Sequence, residues 1–129
     1  MISINLFVRD CPKALAFYEK VFGAVRISEN FSVPIGERNA SFRIGESRFA
    51  LADENPVWGS RSLLTLGGVP LCLQIYVPDL EKTLETALSN GGFVMEPGTQ
   101  ESPIFEMHDG VRFANVKDPF GFVWSITQG

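Results

Sequence analysis

The chain has 129 residues, 45% apolar and 20% charged, with a formal net charge of −4. These proportions predict one compact domain, 1–129, whose core needs no metal or disulfide staple, and the lack of any Lys/Arg cluster argues against a nucleic-acid partner. Two cysteines without metal-type spacing, no basic leader and no apolar run near the roughly 20 residues of a bilayer span predict a reduced, cytoplasmic protein that is neither secreted nor membrane-bound.

In chain order, Ile2, Ile4, Leu6 and Val8 alternate with Ser3, Asn5 and Phe7, the period of a strand with one apolar face. Asp10 before Pro12 reads as a helix N-cap. The helix runs from about Pro12 to Phe22, with Leu15, Tyr18 and Phe22 on its apolar stripe and Gly23 as C-cap. Strands follow at Val25–Ser28, Asn39–Ile44 and Arg48–Ala52. The stretch Glu29–Glu37 reads as a loop and Asp53–Gly59 as a linker.

The pattern then recurs. Leu71, Leu73, Ile75 and Val77 alternate with Cys72, Gln74 and Tyr76. Asp79 caps a helix from Leu80 to Ser89, and Asn90-Gly91-Gly92 ends it. Phe93–Met95 is a strand and Glu96–Asp109 a long loop. The final stretch, FANVKDPFGFVWSIT, is a hairpin about the turn Asp118-Pro119-Phe120-Gly121, in which Asp caps, Pro presets φ and Gly frees the exit. A shift of 69 positions sets Val8 on Val77, Asp10 on Asp79, Leu15 on Leu84 and Gly23 on Gly92. The expected fold is therefore α+β, with βαβββ modules at 1–59 and 65–129. A four-stranded sheet covered by one helix leaves its second face open. Two such halves are expected to pair into a curved mixed sheet whose concave face is a cavity.

The segments LFVRDCPKALAFYEKVFGA, SRFALADENP and VKDPFGFVWSI, together with the duplication, resemble the vicinal oxygen chelate superfamily of glyoxalase I, bleomycin-resistance proteins and extradiol dioxygenases. In detail they are similar to its 3-demethylubiquinone-methyltransferase-like branch. The resemblance implies the glyoxalase/bleomycin-resistance fold. It also implies a homodimer, in which modules are in some relatives exchanged between chains, and the stretch Asp53–Leu64 is long enough to allow that. In metal-using relatives four strand positions carry His/Glu ligands. Counted onto this chain they are Ser3, Ala52 (or Leu51), Cys72 and Ser125. Two hydroxyls, a thiol and a methyl do not make a site for a hard divalent ion, so no cofactor is expected.

The period-two neighbours of those positions face the same way. Asn5, Phe7, Arg48, Cys72, Gln74, Tyr76 and Ser125 are the expected cavity residues, with Phe7 and Tyr76 stacking on a flat ligand and the polar groups orienting it. Ile4, Leu6, Val8, Leu73, Ile75, Val77, Phe122, Trp124 and Ile126 form an apolar face against the helices.

Other chemistry is sparse. His108, the only histidine, is a candidate acid/base group steered by Asp109 or Glu106, or a polar loop residue. Cys72 is a nucleophile only with a lowered pKa, for which no neighbour in sequence provides, and is otherwise a small strand residue. Cys11 reads as an exposed residue at a helix start. Asp53 and Glu54 lack a facing partner for acid/base work. Trp58, Phe31, Phe105 and Phe113 form a stacking wall or core. The expected function is binding of a small organic ligand without a catalytic metal. The alternatives are a divalent-metal-dependent lyase, isomerase or dioxygenase using His108 and Glu106, and a ligand-free homodimeric interaction module.

Overall fold

A computed structural model describes residues 3–68 and 71–129; Ile2 of the expected first strand lies outside them. The chain forms two compact units, Met1–Val69 and Pro70–Gly129. In the first, strand β1 (Ile4–Val8) leads to helix α1 (Cys11–Phe22), followed by β2 (Val25–Asn30), β3 (Asn39–Ile44) and β4 (Ser47–Asp53). The strand order is β1-β4-β3-β2, with β1 and β4 parallel and the remaining pairs antiparallel. Alternation in β1 and β4 turns Leu6, Val8, Phe49 and Leu51 onto α1, where all four are buried. Tyr18 stacks on Phe42, with centroids 5.6 Å apart, and Phe42 stacks on Phe49 at 5.1 Å. Phe42 and Phe49, two of the chain's eleven phenylalanines, are thus core.

The second unit repeats the plan with β5 (Cys72–Val77), α3 (Leu80–Ser89), β6 (Phe93–Met95), β8 (Arg112–Lys117) and β9 (Val123–Gln128). Its order is β5-β9-β8-β6, and the two-residue strand β7 (Phe105–Glu106) also pairs with β8. The expected loop Glu96–Asp109 therefore contains a strand, too short to show a period of two. Trp124, Ile126 and Val116 of the sheet are buried with Leu84 and Ala87 of α3. Both sheets are mixed, and the fold class is α+β.

The two units share hydrogen bonds at equivalent positions. Asp10 Oδ1 accepts from the Lys13 amide at 3.2 Å and Asp79 Oδ1 from the Lys82 amide at 3.1 Å, the N-caps of α1 and α3. The Glu54 amide donates to Val8 O and the Gly129 amide to Val77 O. Each final strand also reaches the start of its helix. Asp53 Oδ1 accepts from the Cys11 amide and Gln128 Oε1 from the Leu80 amide, both at 3.0 Å. Helix starts leave amides without intrahelical partners, and these side chains satisfy one in each copy.

Two expectations fail in the first unit. Cys11 is not exposed: it is fully buried, and burial, reinforced by the Asp53 charge, pushes its thiol up to about 12. Nor is Asp53–Gly59 a plain linker. Asp53 ends β4 at 4% exposure, and Pro56–Trp58 forms a 3₁₀ turn. Helix α2 (Leu63–Leu66) packs on β1. Glu54 draws this segment in, accepting from the Ser62 amide at 2.9 Å and the Thr65 hydroxyl at 2.8 Å, and it also pairs with Arg9 at 3.5 Å.

Candidate functional site

Each sheet has one face on its helix and one open face, and strand register decides which side chains share the open one. In the first unit, Asn5 pairs with Ala50, Ala50 with Ser41 and Ser41 with Ser28, making one row across four strands. The next row is Phe7, Ala52, Asn39 and Asn30. Arg48 belongs to the same face, two positions before Ala50. The expected residues Asn5, Phe7 and Arg48 thus share one surface. The apolar face is less pure than its pattern suggests, because Asp53 stands on it.

That aspartate explains the acidic pair. Asp53 accepts from the Gly36 amide at 3.0 Å and forms a two-point ion pair with Arg38, at 2.7 and 3.2 Å. Burial pushes its carboxyl up, but hydrogen bonds from Arg38, Gly36 and Cys11 together outweigh burial and hold it below the usual carboxylate range. Every direction around it is filled by donors, so its role is structural.

In the second unit the corresponding rows are Gln74, Ser125, Asn115 and Met95, then Tyr76, Thr127, Phe113 and Phe105. A cavity of about 280 Å³ lies on this face, lined by Gln74, Ser125, Thr127, Phe113, Met107, Val111 and Asp109. Gln74 Nε2 donates to Thr127 Oγ1 at 3.3 Å, fixing the amide across the strands. The Phe105 and Phe113 rings meet at 5.7 Å. Gln74 and Ser125 therefore line the cavity, whereas Cys72 and Tyr76 lie on the same face outside the lining, Tyr76 at 67% exposure. The turn 107–111 supplies Met107, Asp109 and Val111, which periodicity cannot find because they sit outside any long strand. Of the proposed stacking wall, Phe105 and Phe113 meet in the second unit. Phe31 lies in the first, 5.8 Å below the Arg26 guanidinium, and Trp58 is exposed there.

His108 is at the exposed tip of that turn. Asp109 Oδ1 accepts from the Val111 amide at 3.0 Å, so this carboxylate oxygen braces the turn rather than the imidazole. No hydrogen bond joins His108 to Asp109 or Glu106 among the described residues.

Residues 1–126 match the Glyoxalase/Bleomycin resistance protein/Dioxygenase superfamily. The chain belongs to this superfamily. An uncharacterized protein of Mycobacterium bovis is 31% identical over 131 residues, covering 98% of this chain and 82% of that relative. Among solved structures, a glyoxalase-related enzyme from Fulvimarina pelagi has a TM-score of 0.69 at 17% identity, covering 100% of this chain and 87% of that one. A genomically encoded fosfomycin resistance protein from Listeria monocytogenes has a TM-score of 0.71 at 15% identity, covering 100% and 92%. At these identities the solved structures establish the fold alone.

Metal-using members of the superfamily place ligands at strand positions whose counterparts can now be checked by register. Ser125 stands opposite Gln74, and the first-unit counterpart of Gln74 is Asn5, which stands opposite Ala50. The equivalent of Ser125 is therefore Ala50, not Ala52. The donor chemistry is unchanged: in the first unit Ser3 and Ala50 offer a hydroxyl and a methyl, and in the second Cys72 and Ser125 offer a thiol and a hydroxyl, none of which suits a hard divalent ion. Among the described residues no three His, Cys, Asp or Glu side chains converge, and Glu106 with His108 gains no third donor. No helix of the described residues is long and apolar enough to cross a membrane.

Proposed function

We propose that this chain binds a small organic ligand on the open face of its second sheet, without a catalytic metal. The observation that carries the reading is the 280 Å³ cavity in which Phe113, Met107 and Val111 face a few polar groups. Such a mixture of apolar surface and sparse hydrogen-bonding groups is the usual make-up of a small-molecule site, and the volume is just below the usual range, which suits a small ligand. Phe113 and Met107 hold the ligand's body. Gln74, Ser125, Thr127 and Asp109 orient its polar groups. Tyr76 and Cys72 extend the surface at the β5 edge, and Asn5, Phe7 and Arg48 form the corresponding surface of the first unit. Within the superfamily we place the chain near the 3-demethylubiquinone-methyltransferase-like branch, on the closing motif VKDPFGFVWSI.

A panel of small aromatic amides, screened by thermal shift against wild type, Gln74→Ala and Phe113→Ala, tests the reading. A compound that stabilises wild type and loses its effect in both variants supports it. A panel whose shifts are the same in all three proteins defeats it.

A second copy of the chain is the partner we propose. Strands β1 and β5 end their sheets, and an edge strand with free backbone groups is closed by pairing or by cover. Light scattering on the purified protein decides: twice the chain mass supports the dimer, and a monomer at all concentrations removes it.

A further inference from the structure

Arg43 on β3 and Arg48 on β4 are direct cross-strand partners, so both guanidinium groups rise from the open face of the first sheet. Like charges placed opposite each other repel and weaken a strand pair. Arg9, Arg26, Arg38 and Arg112 each reach a carboxylate. No ion pair joins Arg43 or Arg48 to an acid among the described residues. Arg43 Nη1 donates to Gly45 O at 3.1 Å, which leaves most of its donors unused. Glu46, the nearest carboxylate in sequence, stands in the β3–β4 turn and is bound to neither arginine. The two rows beside the arginines hold hydroxyls, amides, methyls and the Phe7 ring but no Asp or Glu, although the chain as a whole carries a charge of −4.

Two further features suit an oxyanion. Ser28 and Ser41 share a 2.7 Å hydrogen bond between their hydroxyls. Only one proton is used in that bond, so the accepting hydroxyl keeps its own proton to donate. Ser41 is two residues along β3 from Arg43, about 7 Å at strand spacing. Between β1 and β3, Ala50 contributes only a methyl group, so nothing bulky covers the floor beside the arginines.

We infer that Arg43 and Arg48 form a binding site for a small molecule bearing a phosphate-type dianion. Two planar forks of donors neutralise two negative charges and grip the oxygens bidentately. A polyanion such as nucleic acid is disfavoured by the net negative charge of the rest of the chain. The site rests on the first unit alone and stands or falls independently of the cavity in the second.

The test is a ¹H–¹⁵N NMR titration of the full chain at low salt and about pH 7.5, where a phosphate monoester is largely dianionic. The probes are phenyl phosphate, inorganic phosphate, acetate and a single-stranded oligonucleotide. Phenyl phosphate is expected to shift the Arg43 and Arg48 Nε–H signals and the Ser41 amide saturably, with acetate about tenfold weaker. Arg43→Ala and Arg48→Ala are each expected to weaken phosphate binding by about tenfold or more, with Arg48→Lys intermediate. Both positions are exposed, and a dispersed spectrum of each variant confirms that it is folded. The inference is overturned if neither phosphate probe shifts these signals, if both alanine variants bind as wild type does, or if the oligonucleotide binds more tightly than phenyl phosphate.

Discussion

Asp118 and Trp124 are joined by a 2.9 Å hydrogen bond from the indole Nε1–H to Oδ2, while Oδ1 accepts from the amides of Phe120 and Phe122. The turn aspartate is thus more than a local cap. At 4% exposure it ties the β8–β9 turn to the largest side chain in the second core. Asp118→Ala removes the acceptor of a buried indole N–H and of two amides, and is expected to cost about 3–5 kcal/mol. Trp124→Phe keeps much of the apolar area and removes one donor, and is expected to cost about 1–3 kcal/mol. Urea unfolding of both variants checks the order; equal costs would contradict it.

The first unit has a buried carboxylate of its own at Asp53. Asp53→Ala and Arg38→Ala each strip a partner from a mostly buried ion pair, so each is expected to lose about 3–5 kcal/mol. The folded carboxyl is held below its unfolded pKa of about 3.9. Its contribution is therefore complete above about pH 4 and is lost as pH falls through the lower folded value. Acid titration of wild type and Asp53→Asn, followed by circular dichroism, should show a steeper loss of stability below about pH 4 in wild type.

The two thiols should behave oppositely. Cys72 is exposed and Cys11 is buried with its thiol pushed up to about 12. Alkylation of the native protein near neutral pH is expected to label Cys72 alone, with Cys11 reacting only after denaturant is added, because the thiolate is the reactive form. Mass spectrometry of the labelled peptides reads the result directly; labelling of native Cys11 would contradict its burial.

Gly91 and Gly92 end α3 for different reasons. Gly91 has φ +95, which side chains rarely adopt, and its Cβ would meet Pro119 Cγ at 3.1 Å. At Gly92 a Cβ would lie 2.7 Å from the Ala87 carbonyl oxygen and 2.9 Å from Val116 Cγ1. Gly92→Ala forces backbone apart and is expected to cost about 2–3 kcal/mol. Gly91→Ala is expected to cost about 1 kcal/mol or more. Thermal unfolding of the two variants checks the order of the costs.

Features that depend on near neighbours could be read in the sequence. Asp10 and Asp79 declare their helices because the capped amides are three residues away, and Gly23 ends α1 at φ +67. The open-face assignment of Asn5, Gln74 and Ser125 follows from period two once the family resemblance has set which strand positions face inward. What escaped was decided at a distance. Asp53 meets Cys11 42 positions away and Arg38 15 away, so the same residue types looked like a linker acid and an exposed thiol. Met107, Asp109 and Val111 reach the cavity through a turn held by the Met107–Val111 hydrogen bond, which no periodicity encodes. Ala50 was displaced by two residues because matching the end of β4 to that of β9 needs the pairing register, not letter similarity.

The matched contacts from β4 and β9 to the helix starts carry one further meaning. Asp53 holds its helix with a titrating group, and Gln128 holds the other with an amide that no proton in the ordinary range alters. The same joint is acid-labile in one unit and indifferent to acid in the other. Acid therefore loosens the amino-terminal helix start and spares its carboxy-terminal counterpart, an asymmetry that a strictly symmetric doubling would lack.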